Sequence, residues 1–174
     1  MIWSSIPRAA SAGLVYVKSG LKAPPPPISR TPVLLDQIGC VFSPHVLGIR
    51  IGQPLQIRNS DPRLHNVRAL SFNNVELNVS LIPDTEHLHR FTKREVMVGV
   101  KCDIHPWMSA WVGVLDHPYF AVTGEEGAFA IPDLPAGRYL VEVWHEKYVS
   151  VARECDVILG DEVPLDFVLD GRKP

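Results

Sequence analysis

Short apolar runs and runs of alternating apolar and polar residues recur along the chain, and Gly, Pro, Asn and Asp separate them. Between residues 54 and 58 the alternation places Leu55 and Ile57 on one face of a strand. Helical periodicity is almost absent, which predicts an all-β protein of β-sandwich architecture. The predicted strands lie at 14–18, 33–37, 46–51, 54–59, 65–70, 75–81, 87–91, 96–101, 111–116, 128–131, 138–145, 150–157 and 165–168.

Two interruptions of this pattern divide the chain. The consecutive prolines from Pro24 to Pro27 form a stiff extended segment that cannot join the centre of a sheet. The second interruption lies near 116–123, where a His-Pro-Tyr-Phe sequence breaks the alternation. We therefore expect domain boundaries at these two interruptions, with one domain at 31–116 between them.

Composition narrows the range of partners. With 174 residues, 46% of them hydrophobic, the chain can bury a core as one large domain or two small ones. The formal net charge of −2 gives no electrostatic footprint for nucleic acid or anionic lipid. No apolar run approaches the length of a membrane span. We therefore expect neither nucleic-acid binding nor a membrane span.

Three residues with metal-binding side chains follow one predicted strand. Cys102, His105 and Met108 lie between the apolar runs 96–100 and 111–115, so a loop between two strands carries them. Such a loop can wrap a thiolate, an imidazole and a thioether around one ion, which a straight strand cannot do. His65 begins another predicted strand upstream. Two imidazoles, one thiolate and a weak axial thioether form the ligand set of an electron-transfer copper site.

Two alternative roles stay open for these four residues. A single methionine is often a core residue and a single histidine is often a turn residue, so the four side chains can serve packing alone. Cysteine and histidine also bind zinc. The order of the four donors, all of them in β-strand context, favours copper over both alternatives.

The Cys-x2-His-x2-Met motif after a strand, with Asn59 and the pair His65-Asn66 upstream, resembles the cupredoxins, the family of blue-copper proteins. The short ligand loop, with Pro106 after its histidine, is most similar to that of amicyanin. Segments 42–44 and 51–59 resemble the early strands of plastocyanin-like domains.

This resemblance covers about 33–116 and implies a cupredoxin-like Greek-key β-sandwich with one copper ion, as Cu(I) or Cu(II). It also implies the ligands of that ion. The equatorial ligands are His65, Cys102 and His105, and the axial ligand is Met108.

Cys40 lies two residues before Phe42, which predicts that both side chains face the same side of an extended strand. In plastocyanin-like domains that position is near the copper end of the sandwich. Three roles stay open for Cys40: a buried hydrophobic residue, a second sulfur near the site, or a ligand that replaces Met108. His45 is interpreted as a surface histidine or as a neighbour of the ligands.

Four further residues flank the predicted ligands. Asn59 and Asn66 are candidates for hydrogen bonds to the ligand loop and the thiolate, although turns alone also favour asparagine. Pro106 and Trp107 are candidates for an apolar patch that shields the copper and docks a partner. Ordinary loop packing is the alternative for both.

The last third of the chain has a second pattern. Its motif from Thr123 to Tyr139, Thr-x3-Gly-x-Phe-x-Ile-x2-Leu-Pro-x-Gly-x-Tyr, resembles the carboxypeptidase regulatory-like, transthyretin-like β-sandwich, which implies no catalysis. Segment 12–18 resembles an early strand of that module. We therefore expect a transthyretin- or Ig-like module at 12–22 and 117–170, without its usual first strand before Ala12. The residues predicted to point inward are Phe129, Ile131, Leu134, Tyr139, Val141 and Val143.

The resemblance to cupredoxins implies a type 1 copper protein that carries single electrons to or from a redox partner, such as a cytochrome or a membrane oxidoreductase. One alternative is a copper-binding or copper-delivery protein, in which Cys40 and Cys102 hold Cu(I) without redox cycling. The other is a structural β-module with a vestigial metal site. An enzyme is not expected, because four side chains close the site and leave no open position for a substrate.

The amino-terminal residues bear on localisation. They contain the small-residue stretch Ala9-Ala10-Ser11-Ala12, which is similar to a signal-peptidase site, but the apolar region before it is short for a signal peptide. Either the protein is cytoplasmic or its targeting segment lies upstream. The copper site and the expected absence of a first strand favour the second, so we expect a periplasmic or otherwise extracytoplasmic protein.

Overall fold

The computed structural model describes residues 1–5 and 12–171, and at 3–5 it describes the backbone only. Within these ranges the chain forms strands and turns and no helix, so the predicted all-β fold class is confirmed. Residues 9–11 of the small-residue stretch lie outside the described residues. No described segment is a helix long and apolar enough to cross a membrane.

The described ranges contain sixteen strands in four sheets. In chain order the strands are β1 (Ile2–Ser5), β2 (Leu14–Ser19), β3 (Val33–Ile38), β4 (Val41–Ser43), β5 (Val46–Arg50), β6 (Leu55–Asn59), β7 (His65–Leu70), β8 (Leu77–Leu81), β9 (Thr85–His89), β10 (Glu95–Lys101), β11 (Ser109–Leu115), β12 (Phe120–Val122), β13 (Ala128–Ile131), β14 (Gly137–Trp144), β15 (Val151–Val157) and β16 (Val163–Pro164).

The strands divide between two compact units. One unit is continuous in sequence, Pro26–Pro118, and contains β3 to β11. The other joins Met1–Pro25 to Tyr119–Pro174. The proline segment and the His-Pro-Tyr-Phe sequence, which interrupt the strand pattern, lie at the two borders between the units. For comparison, the domain bounds expected from the sequence are 31–116 and 12–22 with 117–170.

Two sheets form the unit Pro26–Pro118, with strand orders β4-β3-β6-β9 and β5-β11-β10-β7-β8. Leu55 and Ile57 of β6 are both buried, as their alternation predicts. They belong to one hydrophobic core that also contains Val98 and Val112 of the other sheet. The two sheets thus bury their apolar faces against each other, which confirms the β-sandwich. Burial of apolar surface, at about 25 cal/mol per Å², is the main favourable term of such a fold.

Strand pairing brings three loops to one end of this sandwich. Lys101, the last residue of β10, lies opposite Ser109 of β11 and is also paired with β7. In the other sheet, Gln37 of β3 lies beside Asn59 of β6. The segments that follow these strand ends are therefore close in space. They are the loop 102–108, the segment 60–64 before β7, and the turn between β3 and β4.

The second unit has sheets of order β12-β2-β14-β15 and β13-β1-β16. Their buried side chains form a core of their own, to which Val15 and Val17 of β2 contribute. The resemblance of this unit to a transthyretin-like module stays a prediction. The six residues predicted to point inward are all buried, namely Phe129, Ile131, Leu134, Tyr139, Val141 and Val143.

Two strand predictions in this unit were wrong. No strand was expected before Ala12, but β1 pairs antiparallel with β13 and parallel with β16. Both partners lie in the last third of the chain, so no local pattern marks β1. The strand expected at 165–168 is not formed either. Leu165 and Phe167 alternate inward and are buried, yet their backbone joins no sheet, because alternation reports burial and not pairing.

Candidate metal centre

The loop 102–108 is closed at its base by main-chain hydrogen bonds. The N–H of Cys102 donates to the carbonyl of Met108 at 3.3 Å, and the N–H of Met108 donates to the carbonyl of His105 at 2.9 Å. The adjoining residues, Lys101 and Ser109, are paired across β10 and β11. The predicted loop between two strands is confirmed, and the two strands that it connects are antiparallel neighbours.

Three of the four predicted ligands come together in space. The ligand atoms of His65, Cys102 and His105 all lie within 4.8 Å of one another. Nδ1 of His105 is 2.9 Å from Nδ1 of His65 and 3.8 Å from Sγ of Cys102. Because β7 pairs with β10, the start of β7 brings His65 to the loop from another part of the chain.

The donors differ in burial, which determines where solvent or a partner can reach the cluster. His65 and Cys102 are buried, whereas His105 is half-buried at the surface. Met108 is buried as well and belongs to the same hydrophobic core as Cys102. The cluster therefore has a dry side, formed by core residues, and one side near solvent at His105. The axial role of Met108 stays a prediction.

Asp61, which the sequence did not predict as a site residue, contacts the buried side of this cluster. Its Oδ2 is 2.9 Å from Nε2 of His65. Its two carboxylate oxygens also accept hydrogen bonds from the main-chain N–H groups of Gly39, at 2.7 Å, and Cys40, at 2.8 Å. Burial raises the pKa of Asp61, but these hydrogen bonds outweigh it and hold the pKa below its usual value. In the sequence, the only local indication of this contact was the position of Asp61 four residues before His65.

The predicted placement of Cys40 on the Phe42 strand was wrong. Gly39 and Cys40 form a two-residue turn between β3 and β4, with φ of 65° and 55°. Positive φ at both central residues is the geometry of a tight β-hairpin, and glycine supplies it at the first. An extended strand thus ends before Cys40, so alternation does not decide where its side chain lies.

Cys40 nevertheless lies near the cluster. Its Sγ, a carboxylate oxygen of Asp61 and a ring nitrogen of His65 all lie within 4.8 Å of one another. Its side chain is half-buried against the hydrophobic core of the sandwich. Its carbonyl accepts a hydrogen bond from the indole N–H of Trp107 at 3.0 Å. Cys40 is therefore on the Asp61 side of His65.

Asn66 forms hydrogen bonds with the ligand loop, which is one of the two roles predicted for it. Its side-chain oxygen accepts a hydrogen bond from the main-chain N–H of Asp103, and its Nδ2 donates to the Asp103 carboxylate at 3.0 Å. Asp103 directly follows Cys102 in the chain. Asn66 thus fixes the chain on one side of the cysteine.

Asn59 holds the segment before His65 in place. Its Nδ2 donates to the carbonyls of Arg63, at 2.7 Å, and Leu81, at 2.9 Å. Its Oδ1 accepts a hydrogen bond from the N–H of Asp61 at 3.0 Å. These contacts are with the turn that positions Asp61 and His65. The turn role is therefore the one that the described contacts of Asn59 support.

His45 lies one residue before β5 and is half-buried. Its Nδ1–H donates to the carbonyl of Ser109 at 3.0 Å, and its own carbonyl accepts the N–H of Trp111. Among the described residues, the groups with metal-ligand spacing include His65 and His105 but not His45. His45 thus joins β5 to β11 beside the ligand loop.

Exposed apolar residues lie beside the half-buried His105 or on chain segments next to it. Trp107 is 65% exposed, and its ring centroid is 5.3 Å from that of His105. Pro106 is exposed beside it, and Leu64 and Ile104 on the neighbouring chain segments are also exposed. The exposure of Pro106 and Trp107 is what a docking surface needs, and their docking role stays a prediction.

Comparisons with known proteins give similarity to solved structures only. No family model matches the chain, and no curated protein matches it. A Cu-containing nitrite reductase from Thermus scotoductus SA-01 is 20% identical, with a TM-score of 0.46, and the match covers 55% of this chain and 25% of that one. A purple cupredoxin from Nitrosopumilus maritimus is 22% identical, with a TM-score of 0.39 and coverage of 48% and 97%. A methionine-to-alanine mutant of amicyanin in its Cu(I) form is 16% identical, with a TM-score of 0.44 and coverage of 57% and 97%.

Proposed function

We propose that this protein is a type 1, or blue, copper protein that binds one copper ion and carries single electrons. The observation that carries the proposal is the cluster of two imidazoles and one cysteine, with ligand atoms within 4.8 Å of one another. Two separate segments of the chain contribute these donors, so the fold assembles the cluster. His65, Cys102 and His105 are the proposed strong ligands, and Met108 is the proposed weak axial ligand.

The chemistry of the donors favours copper over other common ions. Magnesium and calcium take oxygen ligands, and the cluster offers nitrogen and sulfur. Structural zinc sites are closed by four cysteine, histidine or carboxylate ligands, and a thioether is not among them. Cu(I) accepts soft sulfur and Cu(II) accepts imidazole, so the mixed set serves both oxidation states. When bound, copper supplies a one-electron couple.

The residues around the cluster fit electron transfer rather than catalysis. Asp61 and Asn66 hold His65 and the ligand loop, so the donors are kept in place. Ligands that move little keep the cost of reorganisation low when the charge at the site changes. We propose that the protein is no enzyme, because the four proposed ligands would leave no open coordination position for a substrate. We also propose an extracytoplasmic location, where such a carrier meets its partner.

The surface around His105 is the proposed route to a redox partner, such as a cytochrome or a membrane oxidoreductase. His105 is the proposed ligand nearest to solvent, and exposed Trp107 lies beside it. Exposed apolar residues beside a half-buried ligand let a partner approach closely and exclude water from the contact.

The test is the visible spectrum of the protein loaded with Cu(II). We expect an intense sulfur-to-copper charge-transfer band, which Cys102→Ser abolishes because a hydroxyl supplies no such transition. Cys155→Ser is the matched control, since Cys155 is also buried but lies in the other unit. The control is expected to keep the band. A band that persists in Cys102→Ser contradicts the proposed site.

Copper binding without redox cycling is the second candidate, and the position of Cys40 favours it. Its thiol lies near His65, so a second sulfur is available to a soft Cu(I) ion. In that case the protein is expected to bind Cu(I) that is supplied with an external reductant, and to develop no stable charge-transfer band with Cu(II). The third candidate is a structural β-module with a vestigial metal site. It is favoured if the protein binds no metal at a fixed stoichiometry.

A further inference from the structure

Asp61 connects a proposed metal ligand to a turn on the other sheet. Its carboxylate is buried, with the residue 7% exposed, and contacts Nε2 of His65 at 2.9 Å. The same carboxylate accepts the main-chain N–H groups of Gly39 and Cys40. Asn59 in turn fixes the Asp61 main chain through its N–H. The position of the carboxylate is thus set by contacts other than the one to His65.

This contact decides which nitrogen of His65 is free to bind metal. An ionised carboxylate only accepts hydrogen bonds, so the proton of the contact belongs to Nε2. A neutral imidazole with its proton on Nε2 has a lone pair on Nδ1. Nδ1 is also the atom that lies 2.9 Å from Nδ1 of His105. Asp61 therefore directs the lone pair of His65 toward the other donors.

We propose that Asp61 is a positioning residue of the copper site, which fixes His65 as the Nε2–H tautomer and favours Cu(II) over Cu(I). This inference rests on the proposed function. A carboxylate behind a ligating imidazole makes the ligand nitrogen more basic. The attraction between that nitrogen and an ion grows with the charge of the ion, so Cu(II) gains more than Cu(I).

Hydrogen bonds extend from Asp61 to the proposed docking surface. Cys40 donates its N–H to Asp61 and accepts the indole N–H of Trp107 through its carbonyl. One short chain of contacts thus links exposed Trp107, the β3–β4 turn, Asp61 and His65. Asp61 is the member of this chain that forms a hydrogen bond with the ring of His65.

The first test needs no copper. Long-range proton–nitrogen NMR spectra of the metal-free protein report which ring nitrogen of His65 carries the proton. We expect Nε2–H in the wild-type protein and a mixture of tautomers in Asp61→Ala. Asp36→Asn is the matched control, because Asp36 is also buried but its carboxylate contacts Arg58 and Ser60. The control is expected to keep the wild-type tautomer.

The second test compares both copper ions in Asp61→Asn, which keeps the size of the side chain and removes its charge. Competition with chelators is expected to show a loss of Cu(II) affinity of about 10- to 100-fold, with a smaller loss for Cu(I). A tenfold change in the ratio of the two affinities raises the reduction potential by about 59 mV. Asp36→Asn is expected to leave both affinities unchanged.

Three results overturn the proposal: Nδ1–H on His65 in the wild-type metal-free protein, wild-type affinities in Asp61→Asn, or equal losses for both ions. The last result means that Asp61 supports the fold and not the ligand. If Asp61→Ala does not fold, the Cu(I) and Cu(II) affinities of Asp61→Asn test the proposal instead. A wild-type protein that binds no copper contradicts the proposed function, whereas the tautomer of His65 still shows whether Asp61 fixes that ring.

Discussion

The proposed ligands are held by contacts that do not depend on a metal ion. His65 is fixed through Asp61, and the main chain of Cys102 is fixed by its hydrogen bond to Met108. Asn66 adds two hydrogen bonds to the residue after the cysteine. Side chains that are positioned in this way before binding lose little freedom on binding. The arrangement supports the proposed role, in which the charge of the bound ion changes while its ligands stay in place.

Met108 is the proposed ligand whose role rests on the resemblance, and its replacement tests that role. Met108→Leu preserves most of the packing volume. We expect the variant to keep its copper and to have a higher reduction potential, because losing a weak axial donor disfavours Cu(II) more than Cu(I). Protein-film voltammetry measures the potential.

Met97→Leu is the control, since Met97 lies on β10 and outside the ligand loop. It is expected to keep the wild-type potential. If Met108→Leu also keeps the wild-type potential and spectrum, Met108 is a core residue and no ligand.

At the scale of elements, β10 links the ligand loop to a second buried carboxylate. Its last residue precedes Cys102, and its first residue, Glu95, accepts hydrogen bonds from the loop 71–74. The donors include the N–H of Phe72 at 2.7 Å and Nδ2 of Asn74 at 3.0 Å. Burial raises the pKa of Glu95, but these hydrogen bonds outweigh it and lower the pKa from its usual 4.5.

Glu95→Gln is expected to lower the free energy of unfolding by about 2 kcal/mol at neutral pH, because hydrogen bonds to a buried charge are lost. A carboxylate with a lowered pKa stabilises the fold above its usual pKa, and this contribution disappears as the pH falls through the folded value. The difference between wild type and variant is therefore expected to shrink below pH 4.5. Urea denaturation at several pH values measures it.

Glu76→Gln serves as the control, because Glu76 is exposed and forms a surface ion pair with Arg68. Such pairs contribute less than about 1 kcal/mol. Equal effects of the two substitutions, or a difference for Glu95→Gln that does not depend on pH, would show that the hydrogen bonds to Glu95 do not stabilise the loop.

For the whole molecule, the parts that the sequence predicted are those with a local signal. The strands at 65–70 and 128–131 coincide with β7 and β13, because their flanking turns and alternation are clear. The loop 102–108 was predicted because its donors lie close together in the chain. All candidate ligands lie in the unit Pro26–Pro118.

What the sequence did not predict depends on contacts between distant segments. Asp61 contacts both the β3–β4 turn and His65, and these contacts form only in the folded protein. No spacing of residues in the sequence predicts them. Cys40 was misplaced because a two-residue turn reverses the chain before the alternation can continue. The strand β1 was missed because its partners lie near the other end of the chain.

X-ray absorption at the copper edge, measured on the copper-loaded wild-type protein, tests the proposed site most directly. It counts the atoms bound to the ion and distinguishes sulfur from nitrogen. We predict one copper per chain with one short bond to a cysteine sulfur and two bonds to imidazole nitrogens. A copper ion bound only by nitrogen and oxygen, or a chain that retains no copper, would contradict the proposal that His65, Cys102 and His105 form a blue-copper site.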